Sequence, residues 1–186
     1  MVRSGSSIAR HSGSLPVVLI TISAISSWEF ACITPFVAFA VAAGYALSLR
    51  TALLTVVAIW FTNQAIGFAV LGYSWTVDTI LWGFAIGAAA LLATVLAGAM
   101  LRLRIGNHLA TLGAAFVLGC AAYEGGLLLA TFALGGEDAF TPAIVGHVVL
   151  LNLGWVGALI GTYEVLRYNG MISSDRRHGS SVAFTA

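Results

Sequence analysis

Cys32, Glu124 and His147 bring a thiol, a carboxyl and an imidazole into stretches of sequence that are otherwise apolar. An ionised thiol is a soft metal ligand, and Cys32 lies two residues before Thr34-Pro35, a helix start whose dipole favours the thiolate. A cysteine in a membrane helix is also commonly a small inert hydrophobe, so Cys32 reads either as packing or as a ligand. Glu124 reads either as a hydrogen-bonded structural acid or as a ligand contact. Gly125 and Gly126 beside it are expected to loosen their helix and let another group approach. His147 reads either as an imidazole bonded to a neighbouring helix or as a ligand. Cys120 shares a helix face with Glu124 at spacing i, i+4. Glu164, beside Arg167, reads as half of a local ion pair.

Depth groups these residues with two amides. At about 1.5 Å of rise per residue, Asn63 and Gln64 fall roughly 13 Å from the outer end of their helix, Glu124 roughly 15 Å and His147 roughly 12 Å. Three helices would then place polar side chains in one layer of the outer half, with Asn152 at least a turn deeper. The aromatic residues Trp28, Tyr73, Trp75 and Trp82 crowd the outer end, which suits an interfacial belt and equally a lid over a pocket. A substrate entering there is expected to contact the Trp28–Cys32 loop with Glu29 and the Tyr73–Asp78 loop.

The elements that must hold these residues are membrane helices. Of the 186 residues, 60% are hydrophobic and only 8% charged, against about 25% charged in a soluble domain. The apolar segments exceed strand length and lack strict alternation, which makes the chain an all-α integral membrane protein whose first partner is the lipid bilayer. It contains no lysine and no clustered basic face, which excludes nucleic acid as a partner. Its two cysteines form no C-x-x-C pair. Metalloprotease, hydrolase and phosphate-loop motifs are absent as well, so no enzyme activity and no intrinsic cofactor are expected, and any ATP-driven step needs another subunit.

The apolar run from Leu15 to Leu49 is interrupted by Ser26-Ser27-Trp28-Glu29, so the chain is expected to break near Glu29 and turn back. Thr34 should cap the returning helix and Pro35 occupy its first turn. Further spans are expected over 35–49, 51–73, 79–101, 107–134 and 139–166. The first two arms, at about 14 residues or roughly 20 Å each, are short against a core of about 30 Å, so their junction should dip into the outer leaflet and line a cavity. With six spans and an inside N-terminus, Arg3, Arg10, Arg50, Arg102, Arg104, Arg167, Arg176 and Arg177 all fall inside, while Glu29, Asp78, Glu137 and Asp138 fall outside. The expected architecture is six transmembrane helices, N- and C-termini cytoplasmic, and an outward-facing pocket. It comprises a leader over 1–14, a membrane domain over 15–167 and a disordered polar tail over 168–186. The basic start and short first apolar stretch also match a removable signal peptide. Small residues at Ala38-Ala42-Ala46 and Gly83-Gly87 suit close packing within the chain or docking to a partner subunit, and Gly146, Gly154, Gly157 and Gly161 make the last span a close-packing helix.

The run TPFVAFAVAAGYALSLRTALLTVVAIWFTNQAIGF (34–68), with the Tyr/Trp loop and Gly/Ala-rich helix after it, resembles the early helices of substrate-binding S-components of energy-coupling-factor vitamin transporters. The resemblance spans roughly residues 15 to 105. It implies a bacterial cytoplasmic (inner) membrane protein that takes up a micronutrient vitamin, either docked to an energising ATPase module or solitary. Within that family the solitary vitamin B12 type is similar in having a cobalt-ligating cysteine. That likeness gives Cys32 the role of cobalt ligand and makes cobalamin, or a related corrinoid, the transported ligand. The family's docking stripe is usually on the first helix, whereas the stripe here is on the second. The alternative function is a membrane anchor of a redox complex, holding haem or pigment through a single histidine, His108 or His147. These two are roughly 20 Å apart along the membrane normal by helix rise, too far to clasp one iron together.

Overall fold

The computed structural model describes residues 14–30 and 34–169, with side chains over 15–27 and 34–169. Cys32, the leader up to residue 13 and the tail from residue 170 lie outside the described residues, as do the side chains of Trp28 and Glu29. The chain forms α1 (Ser14–Phe30), α2 (Phe36–Ala46), α3 (Leu49–Ala69), α4 (Val77–Leu103), α5 (His108–Leu134), a short 3-10 turn (Glu137–Phe140) and α6 (Pro142–Tyr168). Helices α3 to α6 are long and apolar enough to cross a membrane, and α1 and α2 are shorter apolar helices.

Helix α2 is the axis. Its sequence FVAFAVAA is apolar around the whole circumference, a pattern that calls for cover on every side. From Phe36 to Ala43 no residue is more than 5% exposed, because α3, α4, α5 and α6 all pack on it. Small side chains make that crowding feasible. A Cβ on Gly44 would stand 3.3 Å from the Gly98 Cα, so α2 and α4 meet there backbone to backbone. Ala38 and Ala42 of α2 are buried inside the chain, and Gly83 and Gly87 of α4 meet Gln64 and Trp60 of α3. Ala38, Ala42, Gly83 and Gly87 therefore serve internal packing, whereas Ala46, the last of the α2 stripe, is only partly buried and lies on the wall of an open cavity.

The first two helices do not run on as one. The Ser27 and Thr34 hydroxyls are 3.3 Å apart, whereas seven residues of continuous helix would separate them by about 10 Å. The reversal falls later than expected, since α1 continues through Phe30 and takes Trp28 and Glu29 into its last turn. Nothing in that stretch breaks a helix before Thr34, which its following proline biases away from helical geometry. Helix α1 then packs chiefly on α3.

Other details of the helices also differ from expectation. The α2–α3 break sits at Leu47-Ser48, where Ser48 caps α3 by accepting from the Thr51 N–H, and Arg50 joins the first turn of α3. Helix α3 ends at Ala69, leaving Tyr73 in the connection. Helix α5 runs unbroken past Gly125 and Gly126, and Gly126 serves to seat Ala89 of α4.

The C-termini of α2, α4 and α6 gather with the N-termini of α3 and α5. That end carries Arg50, Arg102, Arg104 and Arg167, and the opposite end carries Asp78, Glu137 and Asp138.

Candidate functional site

At the acidic end, the polar layer is built around the start of α2. Thr34 does not cap this helix: Pro35 takes the flanking position and no side chain of the local segment accepts its N–H groups. Instead the Thr34 hydroxyl oxygen accepts from the Asn63 amide at 2.7 Å, and the same amide donates to Ser27 at 3.2 Å. Three helix segments are thereby tied together by one buried side chain. The cap comes from the opposite flank, where Asn152 of α6 accepts from the Ala38 N–H at 3.0 Å and donates to its own Val148 carbonyl at 2.9 Å. Asn152 is 1% exposed, so this remote cap replaces water that cannot reach the helix end.

Gln64 donates to the Asn63 carbonyl oxygen at 3.3 Å and lies against Gly83, next to a Trp60 indole that donates to the Gly83 carbonyl at 2.8 Å. Ser23 and Ser26 donate to backbone carbonyls of their own helix. Among the described residues, no buried side-chain nitrogen or oxygen lacks a partner.

The remaining expected site residues do not join this layer. Helix α3 touches neither α5 nor α6, so Asn63 and Gln64 are kept from Glu124 and His147 by α2. Glu124 is half-buried on α5, one turn from the buried free thiol of Cys120. His147 is exposed on α6. Helix α6 leans on α2 and barely touches α5. Among the described residues, its row Gly146, Gly154, Gly157 and Gly161 therefore meets open space and no neighbouring helix, contrary to the close packing expected of it. The packed side of α6 is the Asn152, Val156, Leu159, Ile160 and Tyr163 face. Tyr73 lies against Gly67, Trp75 is 76% exposed and stacks on Phe68 with ring centres 4.4 Å apart, and Asp78 sits in the first turn of α4. Among the described residues, no three His, Cys, Asp or Glu side chains converge as a metal site.

An open cavity of about 650 Å³ lies at the other end of α2. Tyr45, Ser48, Arg102, Arg104, His108 and Thr111 are on its wall. The Tyr45 hydroxyl donates to Glu164 at 2.5 Å and stands 2.9 Å from His108 Nε2. Glu164 also pairs with Arg167 at 2.8 Å, the ion pair that their spacing suggested. The sequence signals for this cavity were the arginine pair and the histidine at an expected helix start. Their convergence with Tyr45 was not readable, because it depends on how far α2 descends beside α6.

No family model matches the chain, and neither a curated protein nor a solved structure matches it.

Proposed function

We propose that this protein is a non-enzymatic membrane protein that binds and takes up a small micronutrient, with cobalamin or a related corrinoid as the ligand to test first. The observation that carries this reading is the reversal between α1 and α2, which ends a helix too short to span at a polar layer inside the apolar domain. Interrupted helices that stop at membrane depth are where many transporters bind substrate, because the free helix end and unwound backbone face the ligand. Trp28, Glu29 and Cys32 border this reversal in sequence. The arginine end faces the cytoplasm by the positive-inside rule, which puts the reversal toward the exterior and both termini inside. All six helices then belong to the membrane domain, in a bacterial inner membrane, with α1 and α2 as its shorter members. Cobalt ligation by Cys32, and a solitary or ATPase-docked mode of action, rest on the resemblance to S-components alone.

The test is a visible spectrum of protein purified from cells grown with cobalamin, followed by titration of the colourless protein with added corrinoid. A bound corrinoid spectrum that Cys32→Ala shifts supports the reading. A protein that is colourless and takes up no corrinoid overturns the ligand, and a Soret band lost in His147→Ala replaces uptake with haem anchoring.

A further inference from the structure

We propose that the cavity at the arginine end binds a phosphate-bearing anion, either a lipid headgroup or free phosphate, through Arg102, Arg104 and His108. Its volume of about 650 Å³ lies within the range of about 300–1,000 Å³ that small-molecule sites occupy. Among the described residues, two guanidinium groups and an imidazole are on its wall and no carboxylate is. Among the described residues neither arginine is paired with an acid, since the ion pair at this end joins Arg167 to Glu164. Guanidinium presents a rigid fork of donors that matches phosphate oxygens two at a time.

The backbone adds to this charge. Helices α3 and α5 both begin at the cavity, and their caps answer only the third N–H of each: Ser48 accepts from Thr51, and Asn107 accepts from Ala110. The first N–H groups of both helices are left to solvent or an anion, with two positive dipole ends at one mouth. Arg104 closes α4 in the left-handed region at φ 48°, and the turn it makes through Gly106 brings α5 back beside α4. Arg102, Arg104 and the N-terminus of α5 thus share one wall.

His108 is oriented for the same task. Because the Tyr45 hydroxyl gives its proton to Glu164, His108 Nε2 must donate to the Tyr45 oxygen. This fixes the ring and leaves Nδ1 as the nitrogen available to a ligand. With Nε2 donating to Tyr45, Nδ1 can donate to an anion when the ring carries both protons. The cavity is open, and it lies where an arginine-bearing end meets the lipid headgroups, so a phosphodiester can enter from the bilayer and a free phosphate from water.

The experiment uses the full chain in detergent, with binding read by native mass spectrometry and by titration. The probes are phosphatidylglycerol, phosphatidylcholine with the same acyl chains, and inorganic phosphate. One phosphatidylglycerol is expected to bind saturably, about tenfold more tightly than phosphatidylcholine, and Arg102→Gln with Arg104→Gln is expected to weaken it about tenfold. All three arginines in the test are exposed, and Arg50→Gln removes a charge from the same end but off the cavity wall, so it should leave affinity unchanged. Displacement of the lipid by millimolar phosphate identifies a site that takes free phosphate. Saturable lipid binding that phosphate does not displace identifies a headgroup site. Equal binding of the two lipids with no phosphate binding overturns the proposal, as does a loss in Arg50→Gln as large as in the double variant.

Discussion

The start of α2 is held by buried side chains from two other helices, Asn152 and Asn63, whereas its last turn opens onto a cavity walled by the exposed Arg102 and Arg104. Both ends belong to one 11-residue helix, so local sequence does not account for the contrast. Position in the apolar domain does. Where no water reaches, an unanswered N–H costs several kcal/mol, and the fold supplies Asn152 from α6 to accept it, while Asn63 of α3 ties the Ser27 and Thr34 hydroxyls. Where water or headgroups reach, helix ends and arginines can stay open, and a ligand can take the place of solvent. The closed end holds the architecture, and the open end is available for binding.

If that contrast is right, substitutions at the closed end should weigh most. Asn152→Leu keeps the volume but leaves the Ala38 N–H buried without an acceptor, and it should destabilise the protein by about 2 kcal/mol. Unfolding by sodium dodecyl sulfate in mixed micelles measures this, and a change below about 0.5 kcal/mol would show that water already reaches the start of α2. Asn63→Leu and Thr34→Val, combined in a double-mutant cycle, should show a coupling of about 1 kcal/mol, within the range for hydrogen bonds between membrane helices. A coupling near zero would mean that Ser27 alone can satisfy the amide.

At the open end the expected effects shrink. Tyr45→Phe removes the hydroxyl that joins His108 to Glu164, yet Glu164 keeps Arg167 and both partners can turn to water. The loss should be about 0.5–1 kcal/mol by the same unfolding assay. A larger loss would move this cluster from the binding side of the comparison to the structural side.

The legibility of the sequence follows the same division. Helix number, the short first pair, their reversal and the gathering of arginines at one end were readable, because hydropathy, the Thr-Pro pair and charge placement are local signals. The closing contacts were not. Thr34 has the residue type of a cap, but its hydroxyl is held by Asn63, and the cap is Asn152, 114 residues away from Ala38 in the chain. Asn63, Gln64, Glu124 and His147 share a depth in sequence, yet helical rise gives height without giving the direction in which a side chain points. With α2 standing between them, equal height does not bring them together. The glycines of α6 show the same gap, since their spacing announces close contact but names no partner.

The smallest effect gives the sharpest check on where water stops. Ser48 caps α3 at the open end, accepting from the Thr51 N–H at 3.3 Å while its hydroxyl also meets the Thr51 hydroxyl at 2.9 Å. Ser48 is exposed, so in Ser48→Ala a water molecule can take up the freed N–H. The expected loss is therefore about 0.5 kcal/mol, at the low end for a lost cap. Asn152 and Ser48 each accept one first-turn N–H, one for α2 and one for α3, and they differ chiefly in access to water. If Ser48→Ala destabilised the protein as much as Asn152→Leu, burial could not be what separates the two helix ends, and the cavity wall would have to be as dry as the core.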